Sequence, residues 1–322
     1  MTGLRPDILR CIGGTSLVPL RTVAFGGGAR ILLKLEAENP TGSMKDRMAL
    51  AMIAAAEADG RLPPRGPVVE YTTGNTGMAL ALVCAVKGHP LHIVTSDAFA
   101  REKLDHMQIL GATLHVLPSD GGRQTAKLTR DMIEAARVIK EETGAFWTDQ
   151  LSNTDQMSGY QTMGEEIWRQ TDGQIDAFVQ SIGSAGSILG TADALRSHHA
   201  RIHVVAVEPS ESAVLSGGPP GGHGIDGIGA GFVVPLWQES VADQIESVST
   251  EEAMTTALRL AREEGIFAGP STGANVSAAL RVAKQLGPAA TVVTVMCDSG
   301  MKYLTAYGAR LTRTAAISPQ TA

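Results

Sequence analysis

Short apolar runs alternate along this chain with longer helix-like stretches, and that alternation constrains the fold more than any other feature of the sequence. The strand-like runs are Arg30–Glu36, Val68–Thr72, Leu91–Ser96, Thr113–Pro118, Ala177–Ile182, His203–Glu208 and Thr291–Cys297. Between them the spacing predicts helices over Met48–Asp59, Thr76–Lys87, Arg101–Leu110, Gln124–Glu142, Gln156–Gln170, Ile188–Arg196, Glu251–Glu264 and Ala274–Leu286. Strands that recur with helical crossovers form α/β folds, mostly parallel sheets with helices on their faces. Such sheets bind ligands beyond the carboxyl ends of their strands. The 322 residues suffice for two domains, and Gly144–Thr154 reads as a crossing between two αβ series.

Composition narrows the function classes. Aromatic residues make up only 4%, so the core must be built mostly from Ala, Val, Leu and Ile. A net charge of −6 gives no electrostatic support for binding nucleic acid or an anionic membrane. No apolar run reaches membrane-spanning length, and the N-terminus lacks a basic-then-apolar signal segment. A cytoplasmic protein is therefore expected. Cys11, Cys84 and Cys297 show neither a disulfide framework nor zinc spacing. The histidines contain no HExxH pair, and His198 with His199 reads as an exposed helix end. No metal is expected.

The chemistry concentrates where strands end. In Asn39-Pro40-Thr41-Gly42-Ser43-Met44-Lys45-Asp46-Arg47, Pro40 and Gly42 break the chain after an apolar run. Ser43 can then cap a helix, which puts Lys45 in its first turn. There the free amide N–H groups and the helix dipole disfavour an ammonium. A lysine held partly neutral can attack an aldehyde and keep it as a Schiff base; the bland reading is a solvated lysine beside a carboxylate.

Thr72-Thr73-Gly74-Asn75-Thr76-Gly77 follows a strand and opens a helix, a setting suited to a carboxylate. Gly183-Ser184-Ala185-Gly186-Ser187 does the same and reads as an anion cradle for a phosphate monoester. It is neither a Walker loop nor a dinucleotide fingerprint. Gly269-Pro270-Ser271-Thr272-Gly273-Ala274 opens another helix, where Ser271 can offer a hydroxyl to a ring nitrogen. Each turn taken singly is equally an ordinary capped junction. Ser216–Gly231 contains eight glycines with Pro219 and Pro220, which suits a loop that folds over a ligand. An aldehyde-trapping lysine, a phosphate cradle and a carboxylate turn together describe a site for pyridoxal 5'-phosphate and an amino acid.

These residues resemble the fold-type II pyridoxal-phosphate enzymes of the cysteine synthase and cystathionine β-synthase group. Asn39–Arg47 matches that family's lysine motif and Gly74-Asn75-Thr76-Gly77 its substrate loop. Val207-Glu208-Pro209, Leu215-Ser216-Gly217-Gly218 and Gly227-Ile228-Gly229-Ala230-Gly231-Phe232 match a later loop in order. The match runs from Gly14-Thr15 to Asp298-Ser299-Gly300.

The resemblance implies two three-layer αβα domains with mostly parallel twisted sheets, similar to tryptophan synthase β. Residues 1–38 and 147–322 would form the larger, cofactor-binding domain, and 39–146 the smaller one carrying the lysine. Lys45 would form the internal aldimine and move the α-proton. Asn75 would contact the cofactor's phenolic oxygen. Gly183, Ser184, Ala185, Gly186 and Ser187 would hold its phosphate, and Ser271 would face its ring nitrogen. Thr72, Thr73, Gly74, Asn75, Thr76 and Gln150 would hold the substrate carboxylate, under a loop containing Gly227.

The implied reaction is β-replacement on an O-activated L-serine through aldimine and aminoacrylate intermediates. Its simplest form joins O-acetylserine and sulfide to give L-cysteine. Related alternatives use O-phosphoserine, homocysteine or an amine. A homodimer is the family expectation.

The departures from the family pattern are Tyr71 for proline, Thr73 for serine, Leu151 for phenylalanine and Ala185 for glycine. Ser184 and Ser187 replace threonines, Gly159 lacks a histidine sometimes found there, and Cys297 replaces proline. Cys297 reads best as a small buried residue. A serine or threonine dehydratase would usually carry Gly-Ser-Phe-Lys and Gly-Asn-His, against Met44 and Thr76 here. A non-enzymatic regulator on the same fold should lack the lysine or the cradle, and both are present. Thr312–Ala322 reads as a polar tail.

Overall fold

The computed structural model describes residues 4–24, 26–121 and 125–317; the side chains of Ala126 and of 313–317 are excluded from that description. In chain order the elements begin with β1 (Leu17–Pro19), β2 (Arg30–Leu35), α1 (Lys45–Ala58), β3 (Val68–Tyr71), α2 (Asn75–Lys87), β4 (Leu91–Ser96) and α3 (Arg101–Ile109). Next come β5 (Thr113–Leu117), α4 (Ala126–Thr143), β6 (Phe146–Trp147), α5 (Gln156–Gln170), β7 (Ala177–Ser181) and α6 (Gly186–His198). The last are β8 (His203–Pro209), β9 (Gln244–Val248), α7 (Thr250–Arg259), α8 (Pro270–Leu286), β10 (Thr291–Met296) and α9 (Leu304–Ile317).

Two sheets result. One has six strands in the order β1-β2-β10-β7-β8-β9, and the other four in the order β5-β4-β3-β6. Only β1 runs antiparallel to its neighbour; the other pairings are parallel. Central strands are buried along their length because helices cover both faces: β7, β3 and β10 are buried at every residue. The predicted fold class and parallel crossovers are as the alternation implied. The cores are aliphatic, with Met48, Met52, Ile53 and Leu80 in one cluster and Val179, Val205, Val276 and Val292 in another. Among the described residues no helix is long and apolar enough to cross a membrane, and no group of three or more His, Cys, Asp or Glu could hold a metal ion.

Several sequence expectations need correction. β1, β6 and β9 were not among the predicted strands; β6 has two residues, and β9 is half-buried over most of its length. The predicted polar tail Thr312–Ala322 is helical backbone through Ile317, and 318–322 lie outside the described residues. Gln124, the predicted start of the fourth helix, also lies outside them. The helix predicted over Glu251–Glu264 ends its α-helical part at Arg259 and closes with a π-turn, Leu260–Glu264.

Glycines set two helix crossings that position the site. A Cβ on Gly159 of α5 would meet the Arg47 carbonyl of α1 at 2.4 Å, so no histidine fits there. A Cβ on Gly190 of α6 would meet the Met157 carbonyl of α5 at 2.4 Å.

Candidate active site

The segment Cys297–Ser299, leaving β10, organises the site. Met44 N–H donates to the Cys297 carbonyl and Ser299 N–H to the Gly42 carbonyl, while Gly269 N–H donates to the Asp298 carbonyl. One extended segment thus holds the lysine turn on one side and the Gly269-Pro270-Ser271 turn on the other. Lys45 is the first residue of α1, and its amide donates to Ser43 Oγ at 3.2 Å. The capping expectation is met at that amide, although Met44 occupies the cap position and makes no side-chain cap bond.

Lys45 lines a cavity of about 510 Å³. Thr72, Thr73, Asn75, Thr76, Gln150, Gly183, Ser184 and Gly227 line it too. Gly74, Ala185, Gly186, Ser187 and Ser271 do not. Gly74 precedes α2 at φ 156, where a Cβ would meet Lys103 Cδ at 2.5 Å. Ala185, Gly186 and Ser187 form the buried turn that continues from Gly183 and Ser184 into α6. Ala185, where the resembled family has glycine, takes φ +68. Ser271 is buried in the first turn of α8, beside Cys297.

The Lys45 amine has no hydrogen-bond partner among the described residues. Burial lowers its pKa, against the opposing pull of Cys297 and Asp298. Desolvation thus gives the amine the neutral bias inferred from sequence. Gly183 leaves the room beside it: a Cβ there would lie 3.9 Å from Lys45 Nζ and 2.5 Å from the Gly227 carbonyl. That gap, between a free amine and a turn opening a helix N-terminus, fits an aldehyde carrying a phosphate.

Several positioning residues escaped the sequence reading. Glu70 on β3 accepts from Thr148 Oγ1 at 2.6 Å and from the Gln150 and Tyr71 amides at 3.0 and 2.9 Å. Gln150 Oε1 in turn accepts from Thr76 Oγ1 at 2.7 Å. Gln156 donates to the Gln150 carbonyl at 2.7 Å and accepts from Ser184 Oγ at 2.7 Å, tying the substrate turn to the cradle. Lys103 of α3 reaches Asp226 of the glycine-rich loop at 2.6 Å and sits 4.5 Å from the centre of the Tyr303 ring.

Behind Lys45, Arg47 is gripped by Glu36 (2.7 and 2.8 Å) and Glu166 (2.9 and 2.8 Å). Lys34 completes this buried cluster at 2.7 Å from Glu166. Sequence could have flagged Lys34 and Glu36 as charges inside an apolar strand region. Glu166, which pairs with Lys34 and Arg47, lies more than a hundred residues from both and gave no signal. Cys297 is buried as read; burial pushes its thiol up to about 11. His198 ends α6, where its ring stacks on Trp168 at 4.8 Å and its Nε2 meets Glu165 at 3.0 Å.

Comparison with known proteins adds an independent line. The family described as pyridoxal-phosphate dependent enzyme matches residues 8–298. A cysteine synthase of Staphylococcus aureus (strain Mu50 / ATCC 700699) is 40% identical over 300 residues, covering 92% of this chain and 95% of that protein. The crystal structure of a cysteine synthase from Entamoeba histolytica superposes with a TM-score of 0.90 at 34% identity, covering 100% of this chain and 94% of that one. That of an O-ureido-L-serine synthase superposes at 0.86, also at 34% identity, covering 94% of each chain. The chain therefore belongs to the pyridoxal-phosphate dependent enzymes, within the fold-type II family of the cysteine synthases.

Proposed function

We propose that this protein replaces the β-substituent of O-acetyl-L-serine with sulfide to form L-cysteine, using pyridoxal 5'-phosphate. The observation that carries this reading is the Lys45 amine, unpartnered among the described residues, beside the gap at Gly183, in a cavity rimmed by the Thr72–Thr76 turn. Bound pyridoxal phosphate supplies the aldehyde carbon and an electron sink for the substrate α-carbon. The chain supplies the rest. Lys45 takes the proton from the substrate Cα and returns it. Thr72, Thr73, Gly74, Asn75, Thr76 and Gln150 hold the substrate carboxylate. Gly183, Ser184, Ala185, Gly186 and Ser187 hold the cofactor phosphate, Asn75 meets its phenolic oxygen, and Ser271 meets its ring nitrogen. Residues 39–146 form the smaller domain, residues 1–38 and 147–322 the larger one, and the loop containing Gly227 folds over the substrate.

An acetyl leaving group suits the cavity better than a phosphate. Among its described lining residues the lysines are Lys45 and Lys103, and Lys103 is already paired with Asp226. A phosphoryl donor would need a further cation. A second reading, another activated serine with another nucleophile, is favoured by the likeness to O-ureido-L-serine synthase. The protein loaded with cofactor is offered O-acetylserine or O-phosphoserine with sulfide, and the amino-acid product is identified by mass. Cysteine from O-acetylserine is expected; turnover of O-phosphoserine alone would overturn the donor assignment. We place the protein in the cytoplasm as a homodimer, on family grounds, and sedimentation at micromolar concentration tests the dimer.

A further inference from the structure

Asn75 faces the cavity, yet both ends of its carboxamide are already engaged by charged side chains. Lys302 Nζ donates to Asn75 Oδ1 at 2.8 Å, and Asn75 Nδ2 donates to Asp298 Oδ2 at 2.7 Å. Asp298 Oδ2 also accepts from Tyr303 Oη at 2.7 Å. These partners remove the usual ambiguity of an amide orientation. An ammonium can only donate, so it demands the oxygen; an ionised carboxylate can only accept, so it demands an N–H. Turning the amide over would set two donors and two acceptors against each other. One N–H of Nδ2 is then left without a partner among the described residues.

We infer that Lys302 and Asp298 act as a clamp that fixes Asn75 as a hydrogen-bond donor toward the cofactor's phenolic oxygen. The inference rests on the placement of that oxygen at Asn75 proposed above. A fixed donor favours the oxyanion over the neutral phenol, because only the former gains a charge-assisted bond. In the lysine-bound cofactor these two forms are tautomers: the proton leaves the phenolic oxygen for the imine nitrogen, and nothing else changes. Lys302 thus acts through Asn75 as a positioning residue. The charged or titratable groups around it are Asp46 of α1, Asp298 of the segment after β10, and Lys103 and His106 of α3. Burial among them lowers the Lys302 amine to about 8, with Asp298 and Asp46 opposing that fall.

The test compares absorbance spectra of the cofactor-loaded wild type with Lys302→Met, Lys302→Arg, Asn75→Ala and the Lys302→Met/Asn75→Ala double variant. Spectra are taken on protein that retains cofactor after desalting. Loss of folding then lowers total absorbance without altering the ratio of the two bands. Lys302→Met and Asn75→Ala should each raise the near-ultraviolet phenol band relative to the visible band by roughly tenfold. Lys302→Arg should restore most of the wild-type ratio. The double variant should match Asn75→Ala alone, since a clamp with nothing to hold has no effect. An unchanged ratio in Lys302→Met while Asn75→Ala moves it, or additive effects in the double variant, overturns the clamp. An unchanged ratio in Asn75→Ala overturns the placement of the oxygen itself.

Discussion

Replacing Arg47 with methionine removes the centre of the buried charge cluster behind Lys45 while keeping most of the apolar stem. Arg47 is 3% exposed and Glu36 is 0% exposed, so water cannot take over the lost bonds. Breaking one side of such a cluster costs about 3 to 5 kcal/mol, because the remaining carboxylates stay buried without their partner. The Glu166 carboxyl gives a second route to the magnitude. Burial alone would raise it, but Arg47 and Lys34 outweigh burial and hold it down at about 2 against an ordinary 4.5. That difference corresponds to about 3 kcal/mol of stability, which Arg47 shares with Lys34.

The sign follows from a depressed acid: the contribution is complete above pH 4.5 and disappears as pH falls toward 2. Urea denaturation of the cofactor-loaded protein measures both effects. Arg47→Met should lose about 3 kcal/mol or more at pH 7, and its gap from wild type should narrow as pH falls from about 4.5 to 3. A gap below about 1 kcal/mol at pH 7, or one that stays constant with pH, would refute the energetic role given to the cluster.

Three further outcomes are expected. Gly183→Ala places a methyl 2.5 Å from the Gly227 carbonyl, so it should push the loop away and lower kcat/KM by about a hundredfold; wild-type kinetics would show that the loop has slack. Ala185→Gly should raise stability by up to about 1 kcal/mol in thermal or urea unfolding, since alanine at φ +68 carries left-handed strain that outweighs the entropy of glycine. A measured loss would mean that the methyl's core contacts dominate. Lys103→Met and Asp226→Asn should each raise KM for the amino-acid donor more than they lower kcat, with no further rise in the double variant; full additivity would show that the pair does not act as one contact across the cleft.

What was legible in the sequence was local. Strand–turn–helix junctions declare themselves through glycines and hydroxyls at fixed offsets, because turn geometry is decided by a few neighbouring residues. The lysine, substrate and cradle motifs were found that way. The periodic runs nonetheless begin late at two helices: α6 starts at Gly186 rather than Ile188 and α8 at Pro270 rather than Ala274, whereas the Ser43 cap already put Lys45 in the first turn of α1. The missing turns are those that face the site. They are made of small and polar residues, so apolar periodicity passes over them. β9 was missed for a similar reason, its residues being polar and half-buried at a sheet edge.

The sequence by itself determined the αβ alternation, the three turns and the aliphatic character of the core. It also held the resemblance on which the chemistry rests. Only the tertiary structure decided who partners whom: Glu166 with Arg47, Asp226 with Lys103, Gln156 with Ser184, and Asp298 and Lys302 with Asn75. Periodicity and turn chemistry act over a few residues. These polar pairs join segments up to 227 residues apart, and a charge or amide finds its partner only when packing has brought those segments together and excluded water from between them.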